Sequence, residues 1–220
     1  MFPLKDENPH QRFPILTVLL IVINAAVFVG TLLTGTFEET IDAYGMRSVE
    51  IFAGRRLETL LTSMFLHGGI LHIFGNMLYL YIFGDNVEDA LGRGKFLAFY
   101  LVAGLASSFT QALTDPSSTV PSIGASGAIS GALGAYVVLY PRARILTAVG
   151  LYFFWIVKVP ALFFIGFWFL LQVLSVSVTW MAGVPSEVAY WAHIGGFIAG
   201  VIMILPLKMK LRKRGRSRSS

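Results

Sequence analysis

The chain has 220 residues, of which 55% are hydrophobic and 13% charged, and its mean hydropathy is +0.71. This composition is too apolar for a water-soluble globular domain, so it predicts a multi-span membrane protein. The net charge of +5 comes largely from the C-terminal residues and indicates membrane orientation rather than nucleic-acid binding. Because the chain has no cysteine, disulfides and thiolate metal sites are excluded, and no cofactor is expected.

Six charge-free stretches are long enough to cross a bilayer, which takes about 20 mostly apolar residues. They cover residues 13–37, 59–84, 96–114, 116–141, 159–186 and 188–207. Residues 208–218 hold seven lysines and arginines, and the positive-inside rule assigns this tail to the cytoplasm. With six spans the N-terminus is cytoplasmic as well. The predicted fold class is an all-α membrane protein, a bundle of six transmembrane helices.

The sequence predicts three parts: a cytoplasmic lead (1–12), a six-span membrane domain (13–207) and a basic cytoplasmic tail (208–220). An outer loop of about residues 38–58 mixes charged and apolar residues, which indicates a loop lying partly in the membrane interface. Residues 145–157 are too few for a span and predict an interfacial or half-buried segment. The acidic residues 85–89 are interpreted as a solvated helix end with ion pairs. We see no removable signal before the first span.

A run of small residues begins the fourth span. Residues 124–135 read Gly-Ala-Ser-Gly-Ala-Ile-Ser-Gly-Ala-Leu-Gly-Ala, and ten of these twelve are Gly, Ala or Ser. Such a run lowers helix propensity but lets helix backbones approach closely. Span six repeats the pattern with Ala192, Gly196 and Gly200. Spans four and six are therefore predicted to be direct neighbours, which brings Ser126 and His193 together.

Polar residues of three spans are predicted to lie at similar depth. Spans two, four and six run from outside to inside, with Asn76, Ser126 and His193 each in the outer half. A serine hydroxyl becomes a nucleophile when a base takes its proton, and a neutral imidazole suits that task. His193 is the only histidine after span two. These residues indicate peptide hydrolysis within the bilayer.

No carboxylate is expected beside His193, because Glu187 is a loop residue and the acidic end of span two is at the other face. We therefore predict a Ser/His dyad whose imidazole is held by packing and by hydrogen bonds to neutral groups, rather than a triad. His72 and Asn76 are four residues apart and so share a helix face. Together with the backbone N–H of Ser126, they are predicted to stabilise the oxyanion.

Each feature has a structural alternative. Gly and Ser are common in membrane helices for packing alone, whereas histidines within a membrane are costly and favour a functional role. Four polar residues at matched depth therefore favour an active site over packing. His67 is interpreted as a loop or interface residue, and His10 as exposed and inert. A channel or transporter would need intramembrane charges or broken-helix repeats, which the predicted spans lack.

Three motifs resemble those of the rhomboid family of intramembrane serine proteases. Residues 72–76, His-Ile-Phe-Gly-Asn, resemble the family's His-x-x-x-Asn motif, and residues 124–127, Gly-Ala-Ser-Gly, resemble its Gly-x-Ser-Gly motif. Residues 192–200 resemble its Ala-His-x-x-Gly-x-x-x-Gly motif. The resemblance covers most of the chain, from span one to span six. It implies a six-helix bundle with a water-filled cavity open to the outside.

The resemblance implies that Ser126 is the nucleophile, that His193 is the general base, and that His72 and Asn76 stabilise the oxyanion. It further implies a serine-type endopeptidase whose partners are the lipid bilayer and transmembrane protein substrates, with no nucleic acid and no small-molecule cofactor. The alternative is an inactive relative that acts as a membrane chaperone or sorting factor. A prokaryotic plasma membrane is the expected location, because the six-span core carries no transit peptide.

Two departures from the family pattern affect these expectations. Many members have an aromatic residue four positions after the nucleophile, where it packs on the imidazole, but this chain has Ser130. Another group must therefore orient His193. The first loop has Arg55 and Arg56 but lacks the Trp-Arg pair of some members.

Substrate access is predicted between spans two and five, beside a set of phenylalanines: Phe153, Phe154, Phe163, Phe164, Phe167 and Phe169.

Overall fold

The computed structural model describes residues 1–9, 11–150, 155–182 and 188–217. In chain order the elements are β1 (Phe2–Asp6), α1 (Ile15–Thr34), α2 (Phe37–Tyr44), α3 (Ser48–Phe52), α4 (Thr59–Thr62), α5 (Ile70–Tyr79), α6 (Asp85–Leu91), α7 (Arg93–Thr114), α8 (Ser126–Leu139), β2 (Arg144–Val149), β3 (Trp155–Pro160), α9 (Ala161–Ala182) and α10 (Tyr190–Ser217). A 3-10 turn (Ser63–Phe65) follows α4, and a π-helical turn (Leu80–Gly84) joins α5 to α6. Four residues named above, His10, Phe153, Phe154 and Glu187, lie outside the described residues.

The chain is a mostly helical, multi-pass membrane protein. Four described helices are long and apolar enough to cross a membrane alone: α1, α7, α9 and the Tyr190–Met209 part of α10. A fifth crossing exists if Thr59–Phe65 and Ile70–Leu91, which meet at a bend of 95°, form one span. The apolar helix α8 has 14 residues and is shorter than the others. Each charge-free stretch therefore contains a helix, the form in which a lipid-exposed backbone satisfies its own hydrogen bonds.

The all-α prediction is wrong in one respect, because the chain also forms a three-stranded antiparallel sheet in the order β1-β2-β3. Strand β2 pairs with β3 from Arg144 opposite Pro160 to Val149 opposite Trp155. The described parts of the segment predicted at 145–157 are thus two paired β-strands, since the segment is rich in β-branched residues and too short to cross as a helix. The N-terminal lead supplies the third strand, β1.

Interactions with the helices hold β1 in place. The carboxylate of Asp6 accepts a hydrogen bond from the Tyr136 hydroxyl at 2.6 Å and another from the Asn86 amide at 2.9 Å. At the other end of the strand, the ring of Phe2 stacks on that of Phe74, with the centroids 6.4 Å apart. The sheet therefore lies along α5 and α6 on one side and leads directly into α9 on the other.

The small residues of α8 place it at the centre of the bundle, where Gly127 through Tyr136 are all buried. Side-chain methyl groups added at Gly196 and Gly200 would collide with the main-chain carbonyls of Gly127 and Gly131, respectively. The predicted contact between spans four and six is therefore confirmed. Helix α7 packs on the same helix, with Ser107 against Gly127. Backbone contact of this kind requires glycine, because any larger side chain would separate the helices.

The connection between α1 and α4 is ordered by its arginines. It folds as α2 and α3, which bury Met46 and Ile51. Arg47 donates hydrogen bonds to the carbonyls of Asp42 and Thr119, at 2.8 and 2.9 Å. Arg56 pairs with Glu50 at 3.0 Å and also contacts the Ala43 carbonyl. The connection is therefore a folded segment that packs on the helices rather than a loose linker.

The acidic end of span two differs from the predicted solvated helix end. Glu88 is buried, and its carboxylate accepts hydrogen bonds from the backbone N–H groups of Leu16 and Thr17, at 3.0 and 2.8 Å, and from the Thr17 hydroxyl at 2.8 Å. The first N–H groups of a helix lack partners within the helix and favour negative charge. Glu88 therefore caps the N-terminus of α1 and fixes it against α6.

Candidate active site

The side chains of Ser126 and His193 meet between the N-terminal ends of α8 and α10. Ser126 is the first residue of α8, and its Oγ lies 2.8 Å from Nε2 of His193, near the start of α10. The two residues are 67 positions apart in the chain. Both are partly accessible, whereas the residues that follow Ser126 in α8 are buried. The geometry suits transfer of the hydroxyl proton to the imidazole, since 2.8 Å is an ordinary hydrogen-bond length.

A third polar residue, Gln172 of α9, holds the other side of the imidazole. Its Oε1 lies 2.8 Å from Nδ1 of His193, and its Nε2 donates to the carbonyl of Trp168 at 3.2 Å. Gln172 is not among the sequence-predicted site residues, although an amide in the middle of an apolar span was a usable signal. It is a neutral group of the kind that was predicted to hold His193.

Aromatic rings restrict the imidazole further. The ring of Trp168 lies with its centroid 5.9 Å from that of His193 at an interplanar angle of 37°, and Tyr190 approaches edge-on at 6.4 Å. Ser130, which stands where many rhomboid proteins have an aromatic residue, instead donates its hydroxyl to the Ser126 carbonyl at 2.6 Å. Helix α9 therefore supplies the aromatic contact that α8 lacks.

His72 lies beside Ser126, and one of its ring nitrogens already has a hydrogen-bond partner. Its Nδ1 accepts a hydrogen bond from the backbone N–H of Gly68 at 3.2 Å. A neutral imidazole that accepts at Nδ1 carries its proton at Nε2. This Nε2 lies close to Gly124, where an added Cβ would be 2.9 Å from Nε2 and 3.6 Å from Ser126 Oγ. His72 therefore presents a donor on the side of Ser126.

Gly124 makes this close approach possible. Its φ of 123° lies in a region that other residues rarely adopt, and its missing side chain leaves room for the His72 ring. The backbone N–H of Gly124 donates to the Ser63 carbonyl at 2.9 Å. The segment before α8 is thus bonded to the 3-10 turn before α5. This bond fixes the position of His72 relative to Ser126.

Asn76 has a less direct place in the site. It is buried on α5, one turn after His72, and its amide nitrogen donates to the His72 carbonyl at 2.9 Å. An amide nitrogen has two hydrogens, so one remains for a second acceptor. The sequence-predicted residues thus divide into a bonded pair, Ser126 and His193, an adjacent donor, His72, and Asn76, which bonds within its own helix.

His67 lies in a loop, as predicted, but it is buried there. It precedes α5 and is 2% exposed, and neither ring nitrogen has a hydrogen-bond partner. Its ring packs edge-on against His72 with the centroids 5.1 Å apart. His67 therefore supports the His72 ring through this edge-on contact. Among the described residues, no cluster of three or more His, Cys, Asp or Glu side chains is arranged to hold a metal ion.

Comparisons with known proteins identify the family of the chain. A family model described as the Rhomboid domain matches residues 54–210. The chain is 34% identical to the "Rhomboid protease GluP" of Bacillus subtilis over 191 residues, 85% of this chain and 34% of that protein. It is 34% identical to "RHOMBOID-like protein 5" of Arabidopsis thaliana, over 66% of this chain and 42% of that protein. It is 30% identical to "Rhomboid protein 1, mitochondrial" of Saccharomyces cerevisiae, over 66% of this chain and 40% of that protein. The chain thus spans less than half the length of these relatives.

Proposed function

The chain belongs to the rhomboid family, and we propose that it is an intramembrane serine endopeptidase in which Ser126 is the nucleophile and His193 the general base. The observation that carries this proposal is the 2.8 Å hydrogen bond between Ser126 Oγ and His193 Nε2 inside an apolar helical bundle. A serine or a histidine alone in a membrane helix can serve as a structural hydrogen-bonding group. A bonded pair at the start of a short central helix is the arrangement that nucleophilic catalysis requires.

The proposed reaction proceeds in two steps. Ser126 Oγ attacks the scissile carbonyl while Nε2 of His193 takes its proton, and the imidazolium then protonates the leaving amine as the C–N bond breaks. Water next attacks the resulting ester while His193 takes its proton, and the imidazolium returns this proton to Ser126 Oγ as the bond between Oγ and the acyl carbon breaks and the carboxylic acid leaves. Both steps balance without a metal or a redox partner. Water must therefore reach the pair, which agrees with its partial exposure.

Three donors are proposed for the oxyanion: Nε2–H of His72, the second amide hydrogen of Asn76, and the backbone N–H of Ser126. The bond from Gly68 to Nδ1 of His72 supports the first, because it leaves the proton on Nε2. The position of Ser126 at the N-terminus of α8 supports the third, since the first N–H groups of a helix are unpaired and favour negative charge. Donors already in position stabilise an oxyanion without reorganisation.

The length of α8 supports cleavage below the membrane surface. Its 14 residues extend about 21 Å, whereas a hydrocarbon core is about 30 Å thick. We propose six spans with both termini cytoplasmic, counting α8 and the bent pair as one span each. A cytoplasmic lead (1–12), a protease domain (13–207) and a basic cytoplasmic tail (208–220) complete the proposal. The inner end of α8 is then cytoplasmic, and Ser126 lies beneath the outer surface.

The proposed substrates are transmembrane proteins of a prokaryotic plasma membrane, cut where their helices unwind. A helical substrate engages its scissile carbonyl in backbone hydrogen bonds, so segments that unwind readily are favoured. We propose that they arrive through the gap between α5 and α9. Phe163 and Phe167 of α9 are exposed, as a lipid-facing wall requires, whereas Phe164 is buried against Phe83 with the ring centroids 6.2 Å apart.

The proposal is tested with purified protein in liposomes and a single-span substrate. Wild type is compared with Ser126→Ala, which removes the nucleophile, and with His193→Ala, which removes the base. We expect cleavage by wild type alone, with product release depending linearly on enzyme concentration. A serine-directed phosphonate should label wild type at Ser126 and leave Ser126→Ala unlabelled. His193→Ala should label far more slowly because its serine is not activated.

Two outcomes would overturn the proposal. Cleavage that persists in purified Ser126→Ala would assign the reaction to another group or to a contaminant. Wild type that binds the substrate segment but neither cuts it nor reacts with the phosphonate would favour the inactive, chaperone-like alternative. To test the proposed location, the protein is expressed in a prokaryotic host, and the plasma membrane fraction is assayed for it.

A further inference from the structure

Gln172 carries the only side-chain amide of helix α9, whose other polar side chains are the hydroxyls of Ser175, Ser177 and Thr179. Its side chain is buried, at 8% exposure. An amide in a membrane helix is costly unless its donors and acceptors are satisfied, and such residues mark functional contacts. Both ends of this amide are engaged, one with the Trp168 carbonyl and the other with the His193 ring. The contacts fix the orientation of the amide as well as its position.

The Trp168 carbonyl determines which way the amide faces. A carbonyl oxygen only accepts hydrogen bonds, so the group 3.2 Å from it must be the Nε2 of Gln172. Oxygen and nitrogen of an amide are assigned from such networks. The oxygen, Oε1, therefore faces His193, 2.8 Å from Nδ1. Since this oxygen also only accepts, the proton of a neutral His193 must be on Nδ1.

The tautomer decides whether His193 can act as a base. With the proton on Nδ1, Nε2 has a free lone pair and accepts the hydroxyl proton of Ser126, 2.8 Å away. With the proton on Nε2, the ring would donate to Ser126 and could not activate it. A chain of contacts from Trp168 through Gln172 thus selects the reactive form of the imidazole.

We propose that Gln172 is a positioning residue that holds His193 in the tautomer and orientation needed to activate Ser126, a task that serine proteases with a triad assign to a carboxylate. This inference rests on the proposed function. A neutral amide performs it without placing a charge within the membrane, where an ionised side chain is costly. The arrangement also accounts for the absence of an aromatic residue at Ser130, because α9 orients the imidazole from the other side through Gln172 and Trp168.

The position of Gln172 links access to the site with the state of the base. Helix α9 forms one wall of the proposed gap. Through Gln172, the same helix also orients the imidazole of His193, which lies on α10. An outward displacement of α9 would break the contact between Gln172 and His193 and release the imidazole from its fixed tautomer. The proposed role of Gln172 therefore requires α9 to stay seated against α10. Phe169 supports this seating by stacking on Phe197 with the ring centroids 4.4 Å apart.

The test compares three variants of the full chain in lipid. Gln172→Met keeps the length of the side chain but removes the acceptor. Gln172→Glu keeps an acceptor oxygen toward Nδ1. Gln111→Met is the matched control, because the Gln111 amide oxygen accepts from the backbone N–H of Ala192 at 3.2 Å, beside His193, without bonding to the imidazole. Substrate turnover, phosphonate labelling and the 15N NMR spectrum of the histidine rings are measured for each, with His193→Gln used to assign the His193 signals.

For wild type we expect the His193 proton on Nδ1. In Gln172→Met, kcat should fall about 10- to 100-fold with KM within about twofold, and the ring should populate both tautomers. Gln172→Glu should recover the Nδ1 proton and most of the lost turnover. Gln111→Met should lower the melting temperature while leaving the tautomer of His193 as in wild type.

Several results would overturn the inference. If the NMR spectrum shows the proton of wild-type His193 on Nε2, the inference is overturned. This measurement needs no variant, so the test does not depend on whether Gln172→Met folds. Wild-type kcat in Gln172→Met, or the same loss in Gln172→Met and Gln172→Glu, would show that the side chain acts only by packing. The proposed function fails by a different result, namely the absence of any wild-type cleavage that depends on Ser126. In that case the NMR measurement still reports whether Gln172 determines the tautomer of His193.

Discussion

The α-carbon of Gly196 lies directly against the main-chain carbonyl of Gly127. Gly127 follows Ser126, and Gly196 is one turn after His193, so this contact sets the distance between the proposed nucleophile and base. Two helices can approach this closely only where neither has a side chain. The spacing of the reacting groups therefore depends on glycine contacts that have no chemical role themselves.

Gly196→Ala should separate α10 from α8 and lower activity more than stability. Adding a methyl group to a contact of this kind costs about 1–3 kcal/mol. A displacement of a few tenths of an ångström also lengthens the bond between Ser126 and His193, so we expect turnover to fall at least about tenfold. Activity in liposomes and the melting temperature in detergent measure the two effects. Gly30→Ala is the control, because an added methyl group there meets nothing within 4 Å; equal behaviour of the two variants would contradict the prediction.

Gly124→Ala should disrupt the oxyanion donors. The substitution forces an unfavourable φ of 123° on alanine and brings its Cβ to 2.9 Å from His72 Nε2. The ring of His72 must move, so we expect a lower kcat and slower phosphonate labelling of Ser126. Gly35→Ala is the matched control: its φ is 70°, but its added methyl group meets nothing and is remote from the site. It should lose about 1 kcal/mol of stability and retain turnover. Equal losses of turnover in Gly124→Ala and Gly35→Ala would show that backbone strain, rather than the contact with His72, lowers the activity.

Glu88→Ala should destabilise the fold without changing the chemistry. The substitution leaves the two backbone N–H groups and the hydroxyl at the start of α1 without their partner. Buried donors left unpaired cost about 1–3 kcal/mol, so the melting temperature should fall clearly, while folded protein still labels at Ser126. Asp89→Ala removes a partly exposed carboxylate that accepts a hydrogen bond from the Gln11 backbone N–H, and its effect should be within about 0.5 kcal/mol. A larger effect at Asp89 than at Glu88 would contradict the assigned cap.

The pair between Glu7 and Lys158 links the N-terminal lead to β3 and should be visible in the titration of Glu7. The hydrogen bond from Lys158, 2.5 Å long, lowers the pKa of Glu7 from 4.5. A lowered pKa in the folded state means that the contribution of the pair is present above about pH 4.5 and is lost as the pH falls through the lowered value. Lys158→Met should return the pKa of Glu7 toward 4.5, as followed by carboxyl 13C NMR.

Lys5→Met is the control for that titration, because Lys5 acts on Glu7 only through a weak charge interaction. It should move the pKa of Glu7 much less than Lys158→Met. Identical titrations of Glu7 in wild type and Lys158→Met would show that the pair does not form in the membrane-bound protein.

Crosslinking α5 to α9 should slow cleavage by closing the proposed gap. The chain has no cysteine, so cysteine pairs on the outer halves of these helices react without background. Short bis-maleimide linkers should reduce turnover of the transmembrane substrate, and longer linkers of the same chemistry should restore it. Phosphonate labelling of Ser126 should continue in both, because a small reagent does not need the gap. Unchanged cleavage with a verified short crosslink would exclude this route.

Much of the site could be predicted from the sequence because its signals are local. Small residues at spacing four indicate close helix packing, and they predicted that spans four and six are direct neighbours. The contact of Gly127 in α8 with Gly196 in α10 confirms this. Ser126 and His193 stand beside these glycines, so their meeting follows from the same pattern. The membrane helices were equally visible, since a run of about 20 apolar residues without a charge is typical of a transmembrane helix.

The sequence by itself therefore determined the membrane class, the helical stretches and the neighbouring pair of Ser126 and His193. Only the tertiary structure decided that Glu88 caps α1, that the N-terminal lead joins the 144–160 hairpin in a sheet, and that Gln172 faces His193. Each of these contacts joins residues whose local sequence has no periodic or compositional mark of its partner. Their meeting depends on the rotation and depth of whole helices, which are set by the packing of the complete bundle.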